Sequence, residues 1–406
     1  MSASATRRRC FVIKAALVVL ISMFVVSCKS GNSSRSSVAI DPNQVQDNTL
    51  PLCEQSAPGG LITAGDQSFS SPRWRSTMTH YTLAGNPIGD QIPGAPGNQP
   101  WWPDMDFYVY IPPTAATRAE PMMVVYLHGT SQTPIDAALG VGWNELADRE
   151  GIIVVYPHGR ADNGDNNWGW GEASAFGKVG QLDAVARIVR ELQNAQGICP
   201  QQTFIAGTSS GAISATMIAA LYVEQFSGVM SVVGGSYNLS DPIGVQAFEA
   251  MGDNAKVVPA FLVHATLDHL FPQEASREAD MQWAATNDRA DNGSSDGSIS
   301  LVAEIDSTYF NLEPQQTPRA DECLERENNN PCPAGPLGYH TYPYEIHRYR
   351  DEYGAGKTIV EAWYLHGMAH NYPYGNSEGN FTDPAGPDIT TAGYLFFSGL
   401  AAGVGQ

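Results

Sequence analysis

The stretch TFIAGTSSGA, residues 203–212, decides the fold that we expect for this chain. An apolar run stops at a Gly-Thr-Ser-Ser-Gly turn, and a helical pattern rich in Ala, Met, Ile and Leu follows it. Strand, sharp turn and helix in this order are the context of the G-x-S-x-G nucleophile elbow, which is so tight that the residues two positions from the serine must be small. We therefore interpret Ser209 as a nucleophile between Gly207 and Gly211, at a helix N-terminus that favours negative charge.

Apolar runs and helical patterns alternate along the rest of the chain. A continuous apolar run, as a strand buried on both faces requires, occurs at 122–127. The largely apolar stretches 152–156, 228–233, 260–264 and 359–365 also have the pattern of strands. Helical spacing occurs at 143–149 and 182–192, and alternation typical of antiparallel edge strands occurs at 79–83 and 106–111. This order predicts an α/β fold with a mostly parallel central sheet and helices on both faces.

Two side chains downstream of Ser209 would complete a catalytic triad. In the α/β-hydrolase fold the nucleophile is followed along the chain by Asp or Glu and then by His. Asp268 ends the strand-like run 259–267, at the end of a strand where the catalytic groups of parallel sheets collect. His366 and His370 both follow the last strand, and we favour His370 as the base because it lies deeper in the loop, beyond a glycine. The alternative base is His366.

Acyl transfer also needs donors for the negative oxygen of its intermediate. The amide of the residue after the nucleophile, Ser210, is one expected donor, and the loop after the first central strand supplies the other. That loop reads HGTSQ from residue 128. We expect the Thr130 amide to be the second donor of this oxyanion hole, with Ser131 as the alternative.

The charge of the chain argues against one class of partner. The sequence holds 22 Lys and Arg against 42 Asp and Glu. Nucleic-acid binding needs a basic face, so we expect no nucleic-acid partner. We also expect no cofactor and no metal ion, because the sequence has neither a C-x-x-C pair nor an H-E-x-x-H pattern.

Residues 1–27 have the pattern of an export signal. A basic segment precedes an apolar run from Ala15 to Val26, which is too short to span a membrane. The run ends in Val-Val-Ser-Cys, which resembles a bacterial lipobox, so we expect lipid on Cys28 and no other membrane attachment. This predicts an exported chain anchored at the outer membrane or cell surface. An ordinary secretory signal that happens to contain Cys28 is the alternative.

The rest of the chain is expected to form one tethered domain. Residues 28–50 are rich in Ser, Asn and Gln, which predicts a flexible tether. We expect a single catalytic domain over 51–406, interrupted by a Pro- and Asn-rich insertion at 307–343. The insertion either caps one edge of the site or elaborates the surface.

Four cysteines remain after Cys28 and the signal. An even number in an exported protein suggests disulfides. Cys323 and Cys332 lie nine positions apart in a loop that needs a cross-link, so we expect them to pair. By elimination, Cys53 is then expected to pair with Cys199.

Several motifs together resemble one known family. They are VVYLHGTSQT at 124–133, GWNELADREGIIVVYP at 142–157, NWGW at 167–170, GTSSG at 207–211, HATLD at 264–268, HGMAH at 366–370, GPD at 386–388 and FF at 396–397. Over about residues 105 to 400 the chain resembles the catalytic domain of extracellular short-chain polyhydroxyalkanoate (PHB) depolymerases. This branch of the α/β-hydrolases also includes feruloyl and acetylxylan esterases.

The resemblance implies that Ser209, Asp268 and His370 are the triad and that Thr130 helps to form the oxyanion hole. The family often has Cys where Thr130 stands and Ala where Ser210 stands. Because only backbone amides are needed there, we expect activity to survive. We expect no linker and substrate-binding domain after the last motif, and this expectation favours soluble oligomers or small esters over solid polymer as substrates.

The expected function is that of a serine esterase. We expect it to cleave short-chain hydroxyalkanoate polyester or oligomers, with Trp168, Trp170 and Tyr372 lining an acyl or aromatic pocket. A feruloyl or acetylxylan esterase that acts on plant-wall fragments is the enzymatic alternative. An inactive surface lipoprotein that binds glycan or protein is the alternative from another class.

Overall fold

The computed structural model describes residues 61–85, 103–118, 121–160, 165–170, 180–239, 241–307, 342–352 and 356–402. All of them belong to one unit, Asn48–Gln406. The predicted signal and tether lie outside the described residues, as does most of the predicted insertion. Four of the cysteines singled out above also lie outside them: Cys28, Cys53, Cys323 and Cys332.

An eleven-stranded sheet organises the described part of the chain. Its strands are β1 (Ile62–Phe69), β2 (Met78–Leu83), β3 (Met105–Tyr110), β4 (Met123–Leu127), β5 (Ile153–Pro157), β6 (Thr203–Thr208), β7 (Val229–Val232), β8 (Ala260–Ala265), β9 (Glu304–Asp306), β10 (Tyr344–Arg350) and β11 (Thr358–Leu365). They lie in the order β1-β2-β3-β5-β4-β6-β7-β8-β11-β10-β9. A separate pair joins β12 (Tyr372–Pro373) to β13 (Thr382–Asp383).

Parallel pairing runs through the middle of the large sheet. Each neighbouring pair from β5 through β4, β6, β7 and β8 to β11 is parallel. Antiparallel strands close both edges, with β1 to β3 on one side and β10 and β9 on the other. The carboxyl ends of the six central strands therefore meet at one edge of the sheet, where the loops that follow β4, β6, β8 and β11 lie close together.

Seven α-helices connect the strands within the described residues. They are α1 (Pro134–Gly140), α2 (Trp143–Glu150), α3 (Gln181–Gln196), α4 (Ser210–Leu221), α5 (Val245–Met251), α6 (Gln273–Ala290) and α7 (Ile389–Ala402). In this part of the chain no helix is both long and apolar enough to cross a bilayer.

Two hydrophobic cores lie on opposite faces of the sheet. Successive side chains of a strand point to opposite faces, and those of β4 divide accordingly. Val125 joins a cluster that includes Met217 of α4 and Trp283 of α6, whereas Val124 joins a cluster that includes Phe397 of α7. Helices therefore cover both faces of a mostly parallel sheet. The prediction of an α/β-hydrolase fold is confirmed.

A buried polar cluster joins α6 to the sheet. His264 of β8 donates through Nε2 to Asp280 Oδ1 at 2.8 Å, and the Tyr364 hydroxyl of β11 donates to Asp280 Oδ2 at 2.5 Å. All three side chains are buried. Burial, with Asp280 beside it, raises the pKa of Tyr364 far above its ordinary value, so the hydroxyl keeps its proton and remains a donor. The carboxylate thus satisfies two donors that have no access to water.

We predict that Asp280→Ala lowers the free energy of unfolding by about 3 to 5 kcal/mol, because it leaves two buried donors without their acceptor. The control is Asp291→Ala, which removes an exposed carboxylate just after the same helix and should cost less than about 0.5 kcal/mol. Urea unfolding of both variants measures the difference. Equal stability of the two would show that the cluster contributes little.

Candidate active site

The turn between β6 and α4 holds Ser209 in a strained backbone conformation, with φ 55° and ψ −123°. Two close backbone approaches make this possible. A Cβ on Gly207 would lie 2.4 Å from the Gly211 carbonyl oxygen, and one on Gly211 would lie 2.3 Å from the Leu127 carbonyl oxygen. Since real Cβ atoms do not come so close, both positions need glycine. The Ser209 amide donates to Val232 O at 3.0 Å, which ties the turn to β7.

His370 lies between Ser209 and Asp268. Its Nδ1 is 2.7 Å from Asp268 Oδ2, and its Nε2 is 2.9 Å from Ser209 Oγ. A carboxylate can only accept, so Nδ1 carries the proton and Nε2 can accept from the serine hydroxyl. The structure therefore brings together the three residues predicted as a triad, in the geometry that a hydroxyl needs for activation.

The Asp268 carboxylate is buried and fully engaged. Its second oxygen, Oδ1, accepts from the amides of Leu270 at 2.9 Å and Phe271 at 3.0 Å. These two amides fix the carboxylate plane, and the other oxygen is left to face the imidazole. The Phe271 ring also stacks against His370, with centroids 5.8 Å apart and 26° between the planes.

Hydrogen bonds from backbone amides hold the Asp268 and His370 loops against each other. These loops follow the neighbouring parallel strands β8 and β11. The Leu267 amide donates to Met368 O at 2.9 Å, and the Gly367 amide donates to Thr266 Oγ1 at 3.0 Å. His366, the alternative base, ends up beside Glu345, with 3.4 Å between Nε2 and Oε2, and is not part of the triad arrangement.

The loop after β4 has most of its amides occupied. The Gly129 amide donates to Gln132 Oε1 at 2.8 Å, and the Ser131 amide donates to Asn166 O at 2.8 Å. Ser131 is therefore not available as the alternative oxyanion donor. Among the bonds of the described residues, none uses the amide of Thr130. None uses that of Ser210 either, which opens α4 and so has no partner inside the helix.

His128 anchors the base of this loop. It is fully buried, and its Nδ1 donates to Gly129 O at 2.8 Å while its Nε2 accepts from the Gly159 amide at 3.1 Å. Burial lowers the pKa of His128 to about 3. The imidazole is therefore neutral at ordinary pH, and its two partners fix which nitrogen carries the proton. Its backbone oxygen accepts from Trp168 Nε1 at 2.8 Å.

A cavity of about 430 Å³ opens over Ser209 and His370. Thr130 and Ser131 are among the residues that line it. The remaining contributors include three residues that the sequence did not single out for this role: His269, Leu270 and Phe381. No Asp, Glu, Lys or Arg of the described residues lines the cavity, so it suits an uncharged ligand. The described residues also contain no group of three or more side chains that could hold a metal ion.

The aromatic residues predicted to contact substrate do not line this cavity. Trp168 is 2% exposed and packs beneath the His128 loop, where its ring lies 5.2 Å from the His128 ring. Tyr372 is 1% exposed and its hydroxyl lies 2.6 Å from Thr390 Oγ1. Trp170 packs against the core. The prediction of direct contact is therefore wrong for the buried Trp168 and Tyr372. Trp170 is half-buried, and its contact with substrate stays a prediction.

Cys199 is disulfide-bonded. Every other cysteine of the sequence lies outside the described residues, so its partner does too. The Cys53–Cys199 and Cys323–Cys332 pairings stay predictions.

Parts of the sequence are similar to those of known esterases. Residues 105–279 match the family model described as "Esterase PHB depolymerase". The resemblance predicted from the motifs is confirmed. Over 167 residues the chain is 28% identical to the poly(3-hydroxyalkanoate) depolymerase C of Paucimonas lemoignei, and this covers 41% of this chain and 38% of the relative.

Relatives that are named for other activities have a similar level of sequence identity. Feruloyl esterase B of Neurospora crassa is 29% identical over 121 residues, which covers 29% of this chain and 40% of the relative. The chain thus spans about two fifths of the length of these curated relatives. Among solved structures, the acetyl xylan esterase from Aspergillus awamori is 17% identical with a TM-score of 0.49, over 66% of this chain and 90% of that one.

We predict that His128 makes stability depend on pH. Its pKa is about 3 when folded and 6.5 ordinarily, so below pH 6.5 the unfolded chain binds a proton that the folded chain refuses. The contribution of His128 to the free energy of unfolding is therefore fully present above pH 6.5, and it falls as the pH decreases below that value. Between about pH 7.5 and about pH 4.5 the loss from this residue should be about 2 to 3 kcal/mol.

His128→Asn tests this, because it removes the titrating group and keeps a donor for the Gly129 carbonyl. The variant should lose less stability than the wild type between the two pH values in urea unfolding, whatever its stability at the higher one. His158 and His347, whose pKa values are also lowered by burial, are present in both proteins and cancel. An identical pH dependence would contradict the prediction.

Proposed function

We propose that this chain is a serine carboxylic ester hydrolase. The observation that carries the proposal is the line of two hydrogen bonds from Asp268 through His370 to the strained Ser209, below an open cavity. A silent binding protein would have no need to hold a serine at φ 55° against a histidine. The match to an esterase family model supports the same conclusion.

The geometry suggests a two-stage reaction. His370 Nε2 takes the proton as Ser209 Oγ attacks the ester carbonyl, and Asp268 stabilises the imidazolium that forms. The amides of Thr130 and Ser210 donate to the carbonyl oxygen as it becomes negative. His370 then returns the proton to the leaving alcohol. Water, activated by the same histidine, releases the acyl group from Ser209.

We further propose that the substrate is a short-chain hydroxyalkanoate polyester or its oligomers, with 3-hydroxybutyrate as the repeating unit. The matching family model and the depolymerase relative favour this class. The cavity also fits it, since a neutral ester needs no charged side chain to bind, and Leu270 and Phe381 offer apolar contacts. The relative named as a feruloyl esterase makes plant-wall esters the second candidate.

A substrate panel tests the proposal. It contains 3-hydroxybutyrate oligomers, methyl ferulate, acetylated xylo-oligosaccharides and p-nitrophenyl esters of short acids. We expect kcat/KM for the oligomers to exceed that for methyl ferulate and for acetylated xylan fragments by at least about tenfold. Ser209→Ala should lower kcat by about 10⁴-fold or more, and Asp268→Asn, which misplaces the imidazole proton, by about 10³- to 10⁴-fold.

Other outcomes of the panel point elsewhere. A preference for methyl ferulate or for acetylated xylan fragments would replace the proposed substrate but keep the mechanism. No turnover of any ester, together with no labelling of Ser209 by a fluorophosphonate probe, would reject the enzyme and favour a surface lipoprotein that binds glycan or protein.

We also propose that the chain is exported and held at the outer membrane or cell surface by lipid on Cys28. The proposal rests on the basic segment, the short apolar run and the Val-Val-Ser-Cys ending. We predict that wild-type protein made in a bacterial host incorporates labelled palmitate and sediments with membranes. Cys28→Ser should abolish the label. Export of the wild type without label would contradict the lipid anchor and would indicate an ordinary secretory signal.

A further inference from the structure

Three side chains from three separate segments meet beside the two unoccupied amides. Thr130 Oγ1, in the loop after β4, lies 3.0 Å from Ser210 Oγ in the first turn of α4. The same oxygen lies 3.0 Å from Asn167 Oδ1, in the segment 165–170. Thr130 and Ser210 are the residues whose amides are proposed to bind the oxyanion, so their side chains connect the two halves of that site directly.

The protons of this cluster can be assigned. Asn167 Oδ1 also accepts from the Trp168 amide at 2.9 Å, which identifies it as the amide oxygen. A threonine hydroxyl has one proton, and Asn167 Oδ1 has none to offer. Both contacts are therefore used when Ser210 donates to Thr130 and Thr130 donates to Asn167. The hydroxyls form a chain with one direction.

Asn167, the last of the three hydrogen-bonded side chains, lies in a segment that other hydrogen bonds hold in place. Trp168, next to Asn167, is buried and donates through Nε1 to His128 O. Asn166 accepts from the Ser131 amide at 2.8 Å. The segment that holds Asn167 is thus fixed to the loop of Thr130 from both sides. Thr130 itself is exposed, and its side chain links this loop directly to the first turn of α4.

We propose that the hydrogen-bonded side chains of Ser210, Thr130 and Asn167 position the two amides of the oxyanion hole, an inference that rests on the proposed function. An oxyanion donor is effective only when it sits about 2.7 to 3.1 Å from the oxygen as charge develops. The chain sets the distance between a loop amide and a helix amide that no backbone bond joins directly. It therefore acts through the two amides and not by touching substrate. Its loss should affect kcat far more than KM.

The test compares matched variants on an ester that the wild type hydrolyses. Thr130→Val keeps the shape and the backbone amide but removes the hydroxyl, and Ser210→Ala removes the other end. Each should lower kcat about tenfold and change KM less than twofold, a part of the 10²- to 10³-fold loss that follows removal of a whole donor. The double variant should be no slower than the slower single one, because both break the same chain.

Three further measurements separate positioning from a structural effect. Thr130→Ser restores a hydroxyl and should recover most of the lost kcat. Thr117→Val removes an exposed threonine hydroxyl elsewhere on the surface and should change neither constant. A boronic acid that bonds to Ser209 places a negative oxygen in the hole, so its Ki should rise about tenfold in Thr130→Val. If Thr130→Val does not fold, Ser210→Ala tests the same contact from the other side.

The results that overturn the inference are distinct from those that overturn the proposed function. A wild type that hydrolyses esters, with Thr130→Val and Ser210→Ala within twofold of its kcat, rejects the positioning chain alone. So does a double variant whose losses multiply. A wild type that hydrolyses no ester rejects the proposed function and this inference with it.

Discussion

The close backbone approach between β6 and α4 is the constraint on which the site depends. Ser209 occupies a region of φ and ψ that costs a non-glycine residue about 1 to 3 kcal/mol, and such strain persists only where the surroundings impose it. Here β6 is buried between parallel neighbours, and α4 is buried along its whole length. The strain is therefore balanced by packing on both sides of the turn, and the absence of Cβ atoms at Gly207 and Gly211 permits the close backbone approach.

The sequence predicts the elements whose signals are local. A largely apolar stretch indicates a central strand, and each predicted central strand occurs within one or two residues of its predicted limits. The order of the triad along the chain could also be used, because Asp268 and His370 follow the carboxyl ends of such strands. The adjacency of β8 and β11 is not local, since 92 residues separate Ala265 from Thr358. This pairing brings the His370 imidazole into contact with the Asp268 carboxylate.

The parts that the sequence did not predict depend on burial of polar residues or exposure of apolar ones. Helix α6 has few apolar side chains and hides Asp280 and Asn287 by giving them partners in β11 and next to β8, so its sequence lacks a simple apolar face. Trp168 and Tyr372 are aromatic residues near strand ends, which favours both a pocket and a core. The Trp168 indole and the Tyr372 hydroxyl both have hydrogen-bond partners inside the protein, and these contacts place the two residues in the core. Leu270 and Phe381 reach the cavity from loops without a motif.

The loop after β4, which is proposed to supply an oxyanion donor, shows why backbone donors cannot be identified from residue types alone. Several amides lie near Ser209, and their identity as possible donors depends on which of them already have a partner. Gln132 occupies one and Asn166 another, although Asn166 lies 35 positions from Ser131 in the sequence. On the loop, the amide of Thr130 has no partner among the bonds of the described residues, and the amide of Ser210 at the start of α4 has none either, so both can donate to a new negative charge. The candidate site is thus defined by which amides already have hydrogen-bond partners, as well as by the hydrogen-bonded arrangement of Ser209, His370 and Asp268.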